Sequence, residues 1–155
     1  MADIVSKEVR SRMMAGIRGK DTKPEIRVRK LLHSLGYRYR LHRSDLPGRP
    51  DIVMPRHRLA VFIHGCFWHG HEDCRHFRLP KSRTEFWNDK ITGNRARDNK
   101  AAEALIAAGW RVLVIWECAV RSASSLVHGD LQKRLTDAIA DSAQFGEIRG
   151  RIGEI

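Results

Sequence analysis

Three short apolar segments constrain this chain most. Residues 110–116 (WRVLVIW), 59–63 (LAVFI) and 51–54 (DIVM) are apolar along nearly their whole length. Runs that lack polar alternation belong to strands covered on both faces. The chain therefore needs helices on either side of a sheet, and it offers several. Residues 22–36 carry Ile26, Val28, Leu31, Leu32 and Leu35 at helical spacing. Thr22 and Glu25 have capping-box spacing, Pro24 suits a first turn, and Gly36 ends the run. Residues 6–18 (SKEVRSRMMAGIR) read as a basic helix capped by Ser6, with Val9, Met13, Met14 and Ile17 on its apolar side. Two further helices are expected over residues 84–91 and 94–108, and a last amphipathic one over about 126–139. Residues 37–41 alternate like a half-buried strand, residues 46–50 (LPGRP) form a turn, and the tail after Phe145 reads as loosely ordered. The order implies one mixed α/β domain over residues 1–155, a central sheet flanked by helices, with a basic arm at 1–20 and a loose tail at 143–155.

Charge narrows the partners. With 29 Lys and Arg against 18 Asp and Glu, the formal net charge is +11. Such a surface attracts polyanions, DNA or RNA first; the competing reading is plain solubility or association with a ribosome. No apolar run is long enough to span a bilayer. Met1-Ala2-Asp3-Ile4 lacks the pattern of a signal peptide, and three cysteines are an odd number for a disulfide framework. A reducing cytoplasm is the expected compartment, where clustered thiols more often bind metal.

Residues 65–83 show no sustained periodicity and are crowded with His, Cys and aromatic side chains. A loop of that length in a small domain is usually functional. Cys66, Cys74 and Cys118 supply three thiols. One histidine completes a tetrahedral zinc set, with His71 the candidate and His69 and His76 its rivals. Asp51, entering an apolar strand after Gly-Arg-Pro, could hold a divalent ion against a phosphate; aspartate at a strand start is also a common turn residue. Nucleases often follow such a Pro-Asp with an acid and a lysine on the next strand. Here that place holds Phe62-Ile63-His64. His64 and His69 fit the missing proton-transfer roles, whereas His33, His42, His57 and His128 read as structural. Phe67, Trp68 and Trp87, set among Arg75, Arg78, Lys81, Arg83, Lys90, Arg95 and Arg97, can stack on or wedge between bases while the cations position phosphates.

The segments HGCFWHGHEDC, LPGRPDIV, RTEFWNDKI and GWRVLVIWEC together resemble very short patch repair (Vsr) endonucleases, from about Ser11 to Arg121. The resemblance implies a restriction-endonuclease-like fold with a structural zinc. It also implies a magnesium-dependent enzyme that nicks double-stranded DNA on the 5′ side of the T in T·G mismatches left by 5-methylcytosine deamination. On that basis Asp51 and the backbone carbonyl of Ile63 bind Mg2+. His64, His69 and Glu25 are catalytic, with His69 the base for the attacking water. Cys66, His71, Cys74 and Cys118 bind Zn2+, and Phe67, Trp68 and Trp87 enter the duplex. A monomer, with mismatch-repair proteins and a polymerase as further partners, is implied as well. Ile63 stands where the family form carries threonine, and the stretch between His71 and Cys74 is one residue longer. A zinc-stabilised DNA-binding module without catalysis and a nuclease of matched duplex are the alternatives. Nicking of a T·G duplex separates the enzyme from the module, and comparison with a matched duplex separates the two nucleases.

Overall fold

The computed structural model describes residues 21–121 and 125–150, without the side chains of 125–129; the basic helix expected over 6–18 lies outside them. In chain order it contains α1 (Lys23–Ser34), β1 (Arg40–Leu41), β2 (Ile52–Met54), a 3-10 turn (Pro55–His57), β3 (Leu59–His64), α2 (Thr84–Ala107), β4 (Arg111–Trp116), α3 (Glu117–Arg121), α4 (Ser125–Ala140) and β5 (Phe145–Ile148). The sheet order is β1-β2-β3-β4-β5. β1, β2 and β3 pair antiparallel, while β3, β4 and β5 pair parallel.

Strand periodicity sends alternate residues to opposite faces, and each face has its own helical cover. Ile52, Met54, Leu59, Val61, Leu113 and Ile115 pack with Val28, Leu31 and Leu32 of α1 and with Leu131, Leu135 and Ile139 of α4. Val53, Ala60, Val112, Val114 and Trp116 face the other way, toward Leu105 of α2 and the three cysteines. This double cover explains why the three central strands lack polar alternation. The one charge inside the last run, Arg111, has a use: its guanidinium donates to the carbonyls of Ile139 (2.9 Å) and Asp141 (2.6 Å), closing the end of α4.

Three expectations need correction. The segment 84–108 is one helix of 24 residues, not two. Gly93 costs a helix only about 1 kcal/mol relative to alanine, and the contacts made on either side of it by buried Ile91 and Leu105 and by Asn94, Arg95 and Asp98 outweigh that. Residues 143–155 are not uniformly loose, since β5 pairs with β4 from Phe145 to Ile148. Its short, largely exposed sequence gave no strand period, and its pairing depends on the distant β4. Of residues 37–41 only Arg40 and Leu41 join the sheet; Tyr37 and Tyr39 lean on the core instead.

Candidate functional site

The end of the β2·β3 ladder builds the site. Ile63 lies two residues past Val61, the last residue of β3 paired with β2, and its N–H donates to Asp51 Oδ2 at 2.7 Å. Burial pushes the Asp51 carboxyl up to about 6, against the pull of that N–H; nearby Glu25 pushes the same way. The alternation of β3 sends Ile63 toward α1 and His64 toward α2.

His64 and His69 stack face to face, ring centres 3.8 Å apart and 3° from parallel. Asp98, about four turns into α2, accepts from His69 Nδ1 at 2.6 Å and lies 3.9 Å from His64 Nε2. The Nδ1 proton is thereby committed, and Nε2 of His69 becomes the basic nitrogen. Burial, with the charges of His69 and His71, holds His64 well below the ordinary imidazole range, so it is neutral near pH 7. Asp51, His64, His69 and Asp98 all line one cavity of about 650 Å³, together with Glu25, Arg49, Phe67, Trp68, Asn94 and Glu117.

Glu25 reaches this cavity from α1 while only 2% exposed. The capping box is half made: Thr22 Oγ1 accepts from Glu25 N–H, but the Glu25 carboxylate takes the N–H of Asp21 in place of that of Thr22. Arg29 at 3.1 Å and His42 at 2.7 Å complete its surroundings.

On the far side of the histidine pair, Cys66, His71, Cys74 and Cys118 bring their ligand atoms within 4.8 Å of one another, all four residues buried. This cluster can hold a metal ion. His71 stacks on Trp116 at 3.8 Å, and burial, aided by Arg149, lowers it to about 4, leaving the neutral imidazole a metal needs. The hydrogen bond with the Cys66 thiol lowers Cys118, and the Gly150 N–H, donating to the same sulfur at 3.2 Å, acts in the same direction. His76 is not in the cluster, and His69 belongs to the other one. Asp73, just before Cys74, is in the left-handed region at φ +52, and Cys74 meets the other three ligand residues.

Phe67, Trp68 and Trp87 meet edge to face at 5.2 to 5.8 Å. Phe86, 43% exposed, extends the group outward, with the Arg83 guanidinium 4.4 Å above its ring.

A family profile described as DNA mismatch endonuclease Vsr matches residues 2–76. The DNA mismatch endonuclease Vsr of Escherichia coli K12 is 42% identical over 148 residues, 96% of this chain and 94% of that protein. The type II nicking enzyme V.XorIIP of Xanthomonas oryzae pv. oryzae is 56% identical over 81% of this chain and 92% of its own length. V.NmeAIP of Neisseria meningitidis is 46% identical over 79% and 86%. The chain belongs to the Vsr family of DNA mismatch endonucleases.

Membership in the Vsr family makes it a DNA endonuclease, a hydrolase, and implies the restriction-endonuclease-like fold to which the mixed sheet and flanking helices conform. Among the described residues no helix is long and apolar enough to cross a membrane. Every expected site residue lies in one of three neighbouring groups. Two partners escape sequence reading. Asp98 lies 29 residues beyond His69, inside a charged stretch of helix that resembles any solvated face. His42, expected to be merely structural, holds Glu25. Arg95, expected to face phosphate, instead grips the Gly70 carbonyl.

Gly70 is the loop's tightest point. It has φ +59, and a Cβ there would stand 2.5 Å from Ile91 Cγ2 and 2.6 Å from Arg95 Nε. Gly70→Ala is expected to cost about 2 kcal/mol or more, from the left-handed backbone plus the clash. Because His69 and His71 flank it, nicking and metal content should fall together; wild-type melting and metal content in the variant would contradict this.

Proposed function

We propose that this protein is a magnesium-dependent nicking enzyme that cuts duplex DNA 5′ of the T in T·G mismatches produced by 5-methylcytosine deamination, the first step of very short patch repair. The observation that carries the reading is convergence. A buried carboxylate, a histidine oriented by a carboxylate, and an aromatic group border one cavity in a strongly basic protein.

In this reading Asp51, with the Ile63 carbonyl, holds Mg2+. Hard oxygen donors suit that ion, and the Ile63 N–H fixes the carboxylate they share. Bound there, the metal would polarise the scissile phosphate and stabilise its developing charge. His69 Nε2 takes the proton of the attacking water, while Asp98 keeps the ring in the required tautomer and stabilises it once charged. His64, neutral and stacked on His69, supplies a hydrogen bond without competing for that proton. An isoleucine at position 63 is compatible with this scheme, because only its backbone is used. Phe67, Trp68 and Trp87 form an apolar wedge for insertion beside the mismatch. Cys66, His71, Cys74 and Cys118 hold Zn2+, whose work is structural; three thiolates and an imidazole are a closed set for that ion. A cytoplasmic monomer acting ahead of a repair polymerase fits this assignment.

A nicking assay on T·G and matched duplexes, over several flanking sequences and with magnesium or EDTA, tests the proposal. The expected result is a single nick 5′ of the mismatched T, only with magnesium. Equal cutting of matched duplex would make the protein a general nuclease. Binding without nicks under all conditions would leave only a DNA-binding module.

A further inference from the structure

Glu25 lines the catalytic cavity, yet its carboxylate is almost sealed from water. How that group is held matters to any cation bound at Asp51. Its Oε2 accepts from Asp21 N–H at 2.5 Å and Arg29 Nη2 at 3.1 Å. Its Oε1 is met by His42 Nε2 at 2.7 Å. The two oxygens are thus pinned from opposite sides, one by α1 and its entry, the other by the residue that leaves β1. His42 makes a second connection: its backbone N–H donates to the Asp51 carbonyl at 3.2 Å. One residue therefore joins the acid of α1 to the residue that opens β2, although the two acids are 26 positions apart (51 − 25).

Asp21, Glu25 and His42 also have ligand atoms within 4.8 Å of one another, which could suggest a metal bound directly among them. Arg29 rules against it. Its guanidinium lies 2.6 Å from Asp21 and 3.1 Å from Glu25, and 3.4 Å from His42 Nε2, in the place a cation would take. The cluster is a hydrogen-bonded frame.

We infer that His42 is a positioning residue for the nicking reaction: through Nε2 it fixes the Glu25 carboxylate relative to Asp51, so that both acids present a single cation site to the cavity. This rests on the magnesium role proposed for Asp51. Arg29 alone can neutralise Glu25, so the fold tolerates loss of the histidine donor. What is lost is the orientation of the carboxylate, and partners that orient metal-site groups are typically worth about 10- to 100-fold in metal affinity.

The test uses the full-length zinc-loaded protein and two variants. His42 has φ +47, a conformation asparagine accepts readily. His42→Asn keeps the backbone comfortable, but its amide is too short to reach Glu25. His42→Gln places an N–H at about the histidine's reach. Terbium(III), excited through the protein's tryptophans, reports cation binding without turnover, and Trp68 borders the same cavity. His42→Asn is expected to weaken terbium binding and to raise the magnesium concentration needed for half-maximal nicking, each by about tenfold. KM for the mismatched duplex and the melting temperature should hardly move. His42→Gln should return both cation readouts to within about threefold of wild type. Unchanged terbium and magnesium dependence in His42→Asn would overturn the inference. So would a His42→Gln protein that melts like wild type but is as impaired as His42→Asn, because the hydrogen bond would then not be the agent. Asp51→Asn serves as the reference: if it binds terbium as wild type does, the proposed magnesium site itself fails. If it loses terbium while His42→Asn does not, only the role of His42 fails.

Discussion

Asp51→Asn is expected to abolish nicking while making the magnesium-free protein more stable. The loss of activity follows from the proposed magnesium site: several kcal/mol of transition-state charge stabilisation, at 1.36 kcal/mol per tenfold, amount to a factor of about 10³ or more. The gain in stability follows from burial. Asp51 is pushed up to about 6 because its charged form is poorly hydrated where it sits. A carboxylate raised in the folded state binds its proton more tightly there than in the unfolded chain. Its stabilising effect is therefore complete below the unfolded value near 4, and is lost as pH rises through about 6. Above pH 7 without magnesium, ionised Asp51 opposes folding by on the order of 1–3 kcal/mol. Asparagine removes that charge and still accepts the Ile63 N–H. At pH 8 without magnesium, the variant should melt a few degrees higher, at about 2–4 °C per kcal/mol for a chain of this size. At pH 5 the difference should vanish. In wild type, nicking should show an acid limb near pH 6 that moves lower as magnesium is raised, because the ion competes with the proton. A variant that melts below wild type at pH 8 would show that the buried charge is not a burden, and a variant that still nicks would remove Asp51 from the chemistry.

Stripping the proposed zinc from Cys66, His71, Cys74 and Cys118 is expected to unfold the protein, not merely inactivate it. A structural zinc of this type contributes about 10–16 kcal/mol in small domains, against a total stability of about 5–15 kcal/mol for a typical domain. The four residues tie the 65–83 loop to α3 directly behind His64 and His69. Without the ion, three thiols and a neutral imidazole crowd a buried space and the loop loses its anchor. A strong chelator should release about one zinc per chain, with loss of the cooperative melt and of duplex binding. Added zinc should restore both; magnesium should not. His71→Ala should lose the zinc, while His76→Ala should keep it. Metal-free protein that melts cooperatively at the wild-type temperature would sink the structural role.

The three apolar runs reveal their strands because a strand covered on both faces carries its environment in its own composition. Helix α1 is legible for the same local reason, with cap, apolar period and terminal glycine within 15 residues, positions 22 to 36. The cysteines could be assembled on paper because there are only three. Histidines are harder. There are eight, and the spacing from Cys66 allows more than one as the fourth ligand. The structure separates them by direction: His64 and His69 face Asp98, and His71 turns to Trp116 and the thiols. β5 and the continuity of α2 were illegible because a weak local signal there is overruled by neighbours remote in sequence.

Sequence alone determined the central strands, the basic character, the metal-binding residue types and, through its motifs, the family resemblance. All of these reside in local composition and spacing. Tertiary structure decided which groups act on one another: Asp98 on His69, His42 on Glu25, the Ile63 amide on Asp51. Those pairings depend on where α1, α2 and the end of β3 converge, and hydrogen-bond geometry across 12 to 29 positions leaves no period in a sequence.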